Sequence, residues 1–374
     1  MKNTFKLSLA AVLVSSAMAA NAGISIVDNE QGNFSIGGDV EFDFNFQDRD
    51  SQTANEFDQT GRILLEFSGE RYTENGHVFQ VNVQPLMGSD GNVNLDDAWF
   101  AFGAQDGWNL RMGRFEAFDM FPVGQDTFLE YSGDTANDLV VEGSAYVYQM
   151  KEGRGRGSSG QLMYSQSFNN LYLELASMIG ERDVLFAGDT YHGKPIETTK
   201  DALLLRPVVG YQAGNFGIAA SMEANLVKDA VTVRGNNGEL VDISDRMGYG
   251  VTANYTTADW NLIANFAYMD AVDENNMSVG VNALYKGFGL GYIHAANEYE
   301  NKVVSTNYAS GDVNVNTWYA SYEFADVLSV DDFSIYLGAY YTTVDNKTDA
   351  SQTLATNFAE DDDKGVRVRF KYFF

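Results

Sequence analysis

The strongest constraint on this chain lies in the segment 365–374, GVRVRFKYFF. Side chains of a β-strand point alternately to opposite faces. Val366, Val368, Phe370, Tyr372 and Phe374 therefore make an apolar face, and Arg367, Arg369 and Lys371 a cationic one. Such a ribbon needs an apolar layer on one side and water on the other. A soluble sandwich supplies the apolar layer from a second sheet. A membrane barrel supplies it from lipid and encloses the water. This strand alone leaves both readings open.

The first residues place the chain outside the cytoplasm. Lys2 and Lys6 precede an apolar run from Leu7 to Val14, followed by small residues. Ala20-Asn21-Ala22 fits a cleavage site before Gly23, with Ala17-Met18-Ala19 as the competing choice. That run is too short to cross ~30 Å of hydrocarbon, so residues 1–22 read as a secretory signal and 23–374 as a single exported domain. Losing the two lysines takes the formal charge from −28 to −30. A balance this acidic argues against a nucleic-acid partner. Cysteine is absent, which removes disulfides and thiolate metal sites. The mean hydropathy of −0.24 would suggest a soluble protein. Barrel strands defeat that inference, because every second residue is polar.

The rest of the chain repeats the alternation. Phe34, Ile36, Gly38, Val40, Phe42, Phe44 and Phe46 share one face, and Asp39, Glu41, Asp43 and Asn45 lie on the other. The same grammar recurs at Leu171–Ala176, Phe216–Leu226, Met247–Tyr255, Trp260–Tyr268, Trp318–Phe324 and Phe333–Tyr341. Short turns at 169–170, 213–215, 257–259 and 286–287 alternate with the long polar segments 180–201, 228–245, 297–313 and 345–364. Short turns on one rim and long loops on the other are the asymmetry of an outer-membrane barrel. The chain thus reads as all-β, a transmembrane antiparallel β-barrel. Seventeen segments look like strands, yet a barrel with both ends on the periplasmic side needs an even number. Strand 108–114 must run outward and 160–168 must return, which makes 115–159 one long excursion and Ala145–Met150 no part of the wall. Sixteen strands remain, with eighteen as the fallback.

Here a resemblance enters. A strand ending on the final Phe, with aromatics at alternate positions before it, resembles the C-terminal signature of bacterial outer-membrane barrels. Met112-Gly113-Arg114, then Asp119-Met120-Phe121-Pro122, then Glu130-Tyr131-Ser132-Gly133-Asp134 resemble the third loop of the general trimeric porins of enteric bacteria. The added length between Leu139 and Gly160 is similar to the raffinose-type glycoporins. The resemblance implies that 115–159 folds into the pore and constricts it. It puts Glu130 and Asp134, with Asp119 and Asp126, on the loop side. Opposite them it sets wall arginines, of which Arg62 and Arg111 suit the strand phase, and Arg114 matches the family's strand-ending Arg. It also implies a homotrimer in contact with bilayer and lipopolysaccharide, passing small hydrophilic solutes and sugars.

Opposed charges across such a constriction would orient dipolar solutes. Acidic lumen faces (Asp39, Glu41, Asp43, Glu66, Glu174, Glu223) favour cations, and the three cations of the last strand oppose that locally. Trp99, Tyr172, Tyr336 and Tyr340 fall on the polar faces of their strands, where pyranose rings could slide along them. A one-residue bulge would reverse that phase. Gly155–Gly160 matches a dinucleotide fingerprint without the flanking strand and helix it requires. His77, His192 and His294 are scattered, and no Ser-His or Asp-His constellation is legible, so the chain reads as a channel without enzymatic activity or bound cofactor. The run Glu360–Asp363 is a solvated loop or, alternatively, a place for Ca²⁺ or Mg²⁺ on the acidic extracellular loops. Rival readings at this stage are an unselective diffusion porin, an outer-membrane enzyme and a secreted β-sandwich.

Overall fold

The alternating segments become strands whose apolar faces point outward. A computed structural model describes residues 23–49, 56–105, 107–122, 147–150, 153, 159–186, 188–306, 308, 310–348 and 362–374. Residues 1–22, expected to be a secretory signal, and residues 123–146 lie outside the described residues. In chain order the first strands are β1 (Ile24–Asn29), β2 (Gly32–Arg49), β3 (Glu56–Tyr72), β4 (His77–Gly88), β5 (Val93–Ala104), β6 (Trp108–Arg114), β7 (Gln161–Phe168) and β8 (Leu171–Gly180). There follow β9 (Thr190–Tyr191), β10 (Lys194–Thr198), β11 (Ala202–Ala213), β12 (Phe216–Asn225), β13 (Val231–Arg234) and β14 (Leu240–Asp242). The last are β15 (Met247–Thr256), β16 (Trp260–Ala271), β17 (Glu274–Tyr285), β18 (Phe288–Tyr299), β19 (Gly311–Phe324), β20 (Phe333–Asn346) and β21 (Asp363–Phe373).

Sixteen of these close an antiparallel barrel, as the parity argument requires. Each wall strand pairs with the next in the chain, and β21 returns to β2. Strand β1 is a seventeenth member that sequence reading did not anticipate. It pairs with residues 32–36 of β2, on the edge whose remainder, 39–49, is taken by β21. Gly38 and Phe374 exchange two backbone hydrogen bonds of 3.0 Å where β21 ends. Closure leaves no free edge along the wall. Phe44, Phe46, Val366 and Tyr372 are exposed on the outer surface, while Asp39, Glu41, Asp43, Arg367, Arg369 and Lys371 are buried inside.

The rims differ as the turn lengths foretell. On the tight rim, Asn169, Gly214, Lys286 and Gly287 take positive φ in two-residue turns. On the other rim, however, 89–92 and 272–273 are also short, so the alternation of short and long is incomplete. Two of the long segments carry strands of their own. Here β9, β10, β13 and β14 form a four-stranded sheet. Under it, Tyr191, Ala230, Val231, Val233, Ile243 and Val304 make a buried apolar cluster that ties three connections into one cap.

The largest apolar cluster lies inside the barrel. It joins Phe118, Met120, Phe121, Val147, Tyr148 and Met150 of the 115–160 excursion to inward residues of β8, β11, β12, β16, β18, β19 and β20. The described parts of the excursion therefore run within the lumen, and Val147–Met150 carries no strand.

Candidate functional site, the barrel lumen

One arc of the lumen is charged. Register alone brings Glu41 opposite Lys371, Asp43 opposite Arg369 and Asn45 opposite Arg367 across the β2–β21 seam. Arg369 grips Asp43 through Nε and Nη2, each at 2.8 Å. Lys371 Nζ lies 2.6 Å from Glu41, and Arg62 reaches the same carboxylate at 2.7 Å from β3. Arg367 donates from Nε to Asn45 at 2.6 Å. The acids read as cation-attracting faces are therefore paired at this seam. Glu66 and Glu70 on β3 and Glu323 on β19 differ. Glu66 accepts from Asn82 at 2.8 Å, Glu70 from Gln80 at 2.7 Å, and Glu323 from Ser334 at 2.9 Å. These neutral donors leave the formal charge in place.

The opposite arc holds the excursion. Glu174 on β8 accepts the Phe118 N–H at 3.2 Å and the Tyr172 hydroxyl at 2.6 Å. Beside it Arg206 on β11 donates to Phe118 O at 2.7 Å and to Met150 O at 3.4 Å, which clamps both legs of the loop. The Tyr148 hydroxyl donates to Glu223 at 2.9 Å, and its carbonyl accepts from Ser278. Asn265 donates to Pro122 O at 3.3 Å. Close packing of the legs depends on missing side chains in the wall. A Cβ on Gly248 would collide with the Tyr148 hydroxyl, and one on Gly280 would stand 2.9 Å from the Phe121 ring. Residues 118–122 and 147–150 thus lean on the β8–β20 side, away from the charged β21–β2–β3 arc.

The residues singled out from sequence separate into groups. Glu130, Asp134 and Asp126 lie outside the described residues. Asp119 turns back to accept the Phe121 N–H at 2.7 Å. Arg62 belongs to the seam, and Arg114 staples the end of β6 to the carbonyls of Leu95 (3.1 Å) and Asp96 (2.7 Å). Arg111 stands over Trp99, its guanidinium carbon 4.2 Å from the ring centroid, with Phe115 at 5.4 Å. Tyr172, Tyr336 and Tyr340 do point inward but are buried, and their hydroxyls bond to Glu174, Glu323 and Asp363. Tyr172 is covered by Phe118 at a centroid distance of 5.7 Å. Tyr172 on β8 and Tyr340 on β20 lie half a turn of the wall apart, so the four aromatics do not line up as one track.

Sequence reasoning missed the clamp of Arg206 on Phe118 and Met150, because strand phase marks Arg206 as inward without saying what it meets. It also missed the cap. There His192 is stacked between Tyr191 and Tyr308, both at 4.3 Å, and its Nε2 lies 3.2 Å from Glu274. Burial pushes the Tyr191 and Tyr308 hydroxyls above the usual phenol range. Among the described residues no three His, Cys, Asp or Glu are grouped as metal ligands. Of the run Glu360–Asp363, Asp362 and Asp363 accept from Tyr341 (2.6 Å) and Tyr340 (2.7 Å), and 360–361 lie outside the described residues.

Comparison with known proteins agrees with this architecture. DcaP, an outer-membrane channel of Acinetobacter baumannii, superposes with a TM-score of 0.60 at 12% identity, covering 94% of this chain and 100% of its own. OmpF of Salmonella typhi, solved with daunomycin, gives 0.59 at 13% identity, with coverages of 94% and 100%. The trimer form of Vibrio cholerae OmpT gives 0.54 at 15% identity, with coverages of 92% and 100%. Identities this low establish a shared fold. No curated protein matches the chain. The family described as porin-like glycoporin RafY matches residues 36–374, nearly the whole chain. The chain therefore belongs to the porin-like glycoporin RafY family, and it is a porin channel of the bacterial outer membrane.

Proposed function

We propose that this porin passes small hydrophilic solutes, saccharides among them, by passive diffusion with a preference for cations, and works as a homotrimer in a lipopolysaccharide-bearing bilayer. The observation that carries the reading is the division of the lumen. Apolar legs of the 115–160 excursion occupy the β8–β20 side and leave the paired charges of β21, β2 and β3 to face the solute path. Paired charges of both signs orient a hydrated dipole while offering no single deep trap. Cation preference rests on Glu66, Glu70 and Glu323, whose charges meet only neutral donors among the described residues. The saccharide preference is supported by the family's glycoporin description, and the trimer by the trimeric form of a structural neighbour. Export through cleavage before Gly23 completes the reading.

Purified protein in a planar bilayer provides the test. Discrete channels with a cation-biased reversal potential are expected, with brief current blocks on adding maltotriose. Absence of channels would overturn the whole reading. Channels without sugar-dependent blocks would reduce it to unselective diffusion.

A further inference from the structure

Among the cations of the lumen, one stands apart. Arg62, Arg206, Arg367, Arg369 and Lys371 each donate to an acceptor on the wall or on the loop. Arg111 donates to none among the described residues, and its Nε is shut off from solvent with no hydrogen-bond partner. Strand β6 holds it in lumen phase, opposite Ala101 and Met163, whose side chains are buried. Its guanidinium is seated on the face of Trp99 and flanked by Phe115. Stacking satisfies the π-face of a guanidinium but not the N–H groups on its edge. The carboxylates whose charge reaches it are Asp97 and Glu174. Glu174 is already engaged by Tyr172, by the Phe118 N–H and by Arg206, 3.5 Å away.

We infer that Arg111, seated on Trp99, is a carboxylate-binding subsite of the pore, and that it selects acidic saccharides such as oligogalacturonides over their neutral counterparts. This deepens the saccharide reading above and rests on it. A planar fork whose donors are unspent among the described residues matches a carboxylate through two parallel hydrogen bonds, in a site whose apolar neighbours weaken competition from water. Neutral hydroxyls would gain less from the same donors. Trp99 takes a different role from an open sugar platform, since Arg111 covers its ring face. Its part is to hold the cation rigid, so that little conformational freedom is lost when a solute arrives.

The experiment uses the full chain in a planar bilayer, with trigalacturonate and its methyl triester as probes of equal length and different charge. Wild type should be blocked by trigalacturonate at a concentration roughly tenfold lower than by the triester, the factor expected of one charge-assisted contact. Arg111→Gln should bring the two probes to the same blocking concentration. Arg111→Lys, which keeps the charge and loses the planar fork, should fall between. Equal blocking of wild type by both probes would overturn the inference, as would a preference for the acid that survives in Arg111→Gln. Either result leaves the porin reading standing, because that reading fails only if wild type forms no channel.

Discussion

Arg369 and Asp43 face each other across the seam that closes the barrel, joined by two hydrogen bonds of 2.8 Å. Both side chains are almost wholly shielded, at 2% and 5% exposure. Removing Arg369 leaves the buried Asp43 carboxylate with the longer Arg367 contact of 3.8 Å in place of two hydrogen bonds, close to the expensive case of a broken buried pair. Arg369→Met should lower unfolding stability by about 3 kcal/mol, read from the urea midpoint in detergent. Asp43→Leu added to Arg369→Met should recover part of that loss. A double variant no better than the single would refute the assignment.

Packing of the excursion against the wall gives a second expectation. A leucine at Gly280 cannot share space with the Phe121 ring, so Gly280→Leu should push that leg off the wall. Channel conductance should change by a measurable step while strand content by circular dichroism stays constant. Arg206→Gln removes the clamp on Phe118 and Met150 and should shift conductance in the same sense. Conductance identical to wild type in both variants would show that the legs do not set the bore.

Ion preference offers a third. Glu66→Gln combined with Glu323→Gln deletes two lumen charges that neutral donors leave uncompensated. The cation-to-anion permeability ratio should fall, as measured by reversal potential in a salt gradient. The difference should shrink toward 1 M salt, where the screening length is ~3 Å. A ratio unaffected at low salt would remove these carboxylates from the selectivity account.

Outside the barrel, the stack of Tyr191, His192 and Tyr308 joins two connections of the cap. His192→Ala deletes both stacked contacts and should loosen the cap by about 2 kcal/mol, given roughly 1 kcal/mol per stacked pair. Limited proteolysis should then cut within 181–201 faster than in wild type, while the barrel resists. Equal cleavage rates would mean that the shared apolar cluster, and not the stack, holds the cap together.

Much of this molecule is legible before folding, and the reason is periodicity. Alternation fixes which side of β2 and β21 meets lipid, and it places Trp99, Tyr172 and Arg111 inward without knowledge of any neighbour. Partner identity is a different kind of fact. Asp43 and Arg369 belong to opposite ends of the chain, and only closure sets them in register, so summing acids along β2 overstates their pull on cations. Met120, Phe121, Tyr148 and Met150 look like ordinary loop residues until the wall supplies their cluster. Alternate glycines at 248 and 250, in a strand otherwise rich in side chains, were the available hint. The cap had a clearer signal. Val231–Arg234 and Leu240–Asp242 flank a Gly-Asn-Asn-Gly turn, a hairpin concealed in a polar stretch.

The largest apolar cluster ties the excursion to wall residues that follow it in the chain, from Tyr172 to Val344. Its resting place does not exist when it is first delivered to the membrane. Strand β2, at the start of the wall, must also await β21 from the far end of the chain, and contacts so distant in sequence form slowly. Seating of the excursion against that cluster thus has to wait until those later strands have arrived. An immature protein caught before that event would be a wider and leakier hole than the finished one.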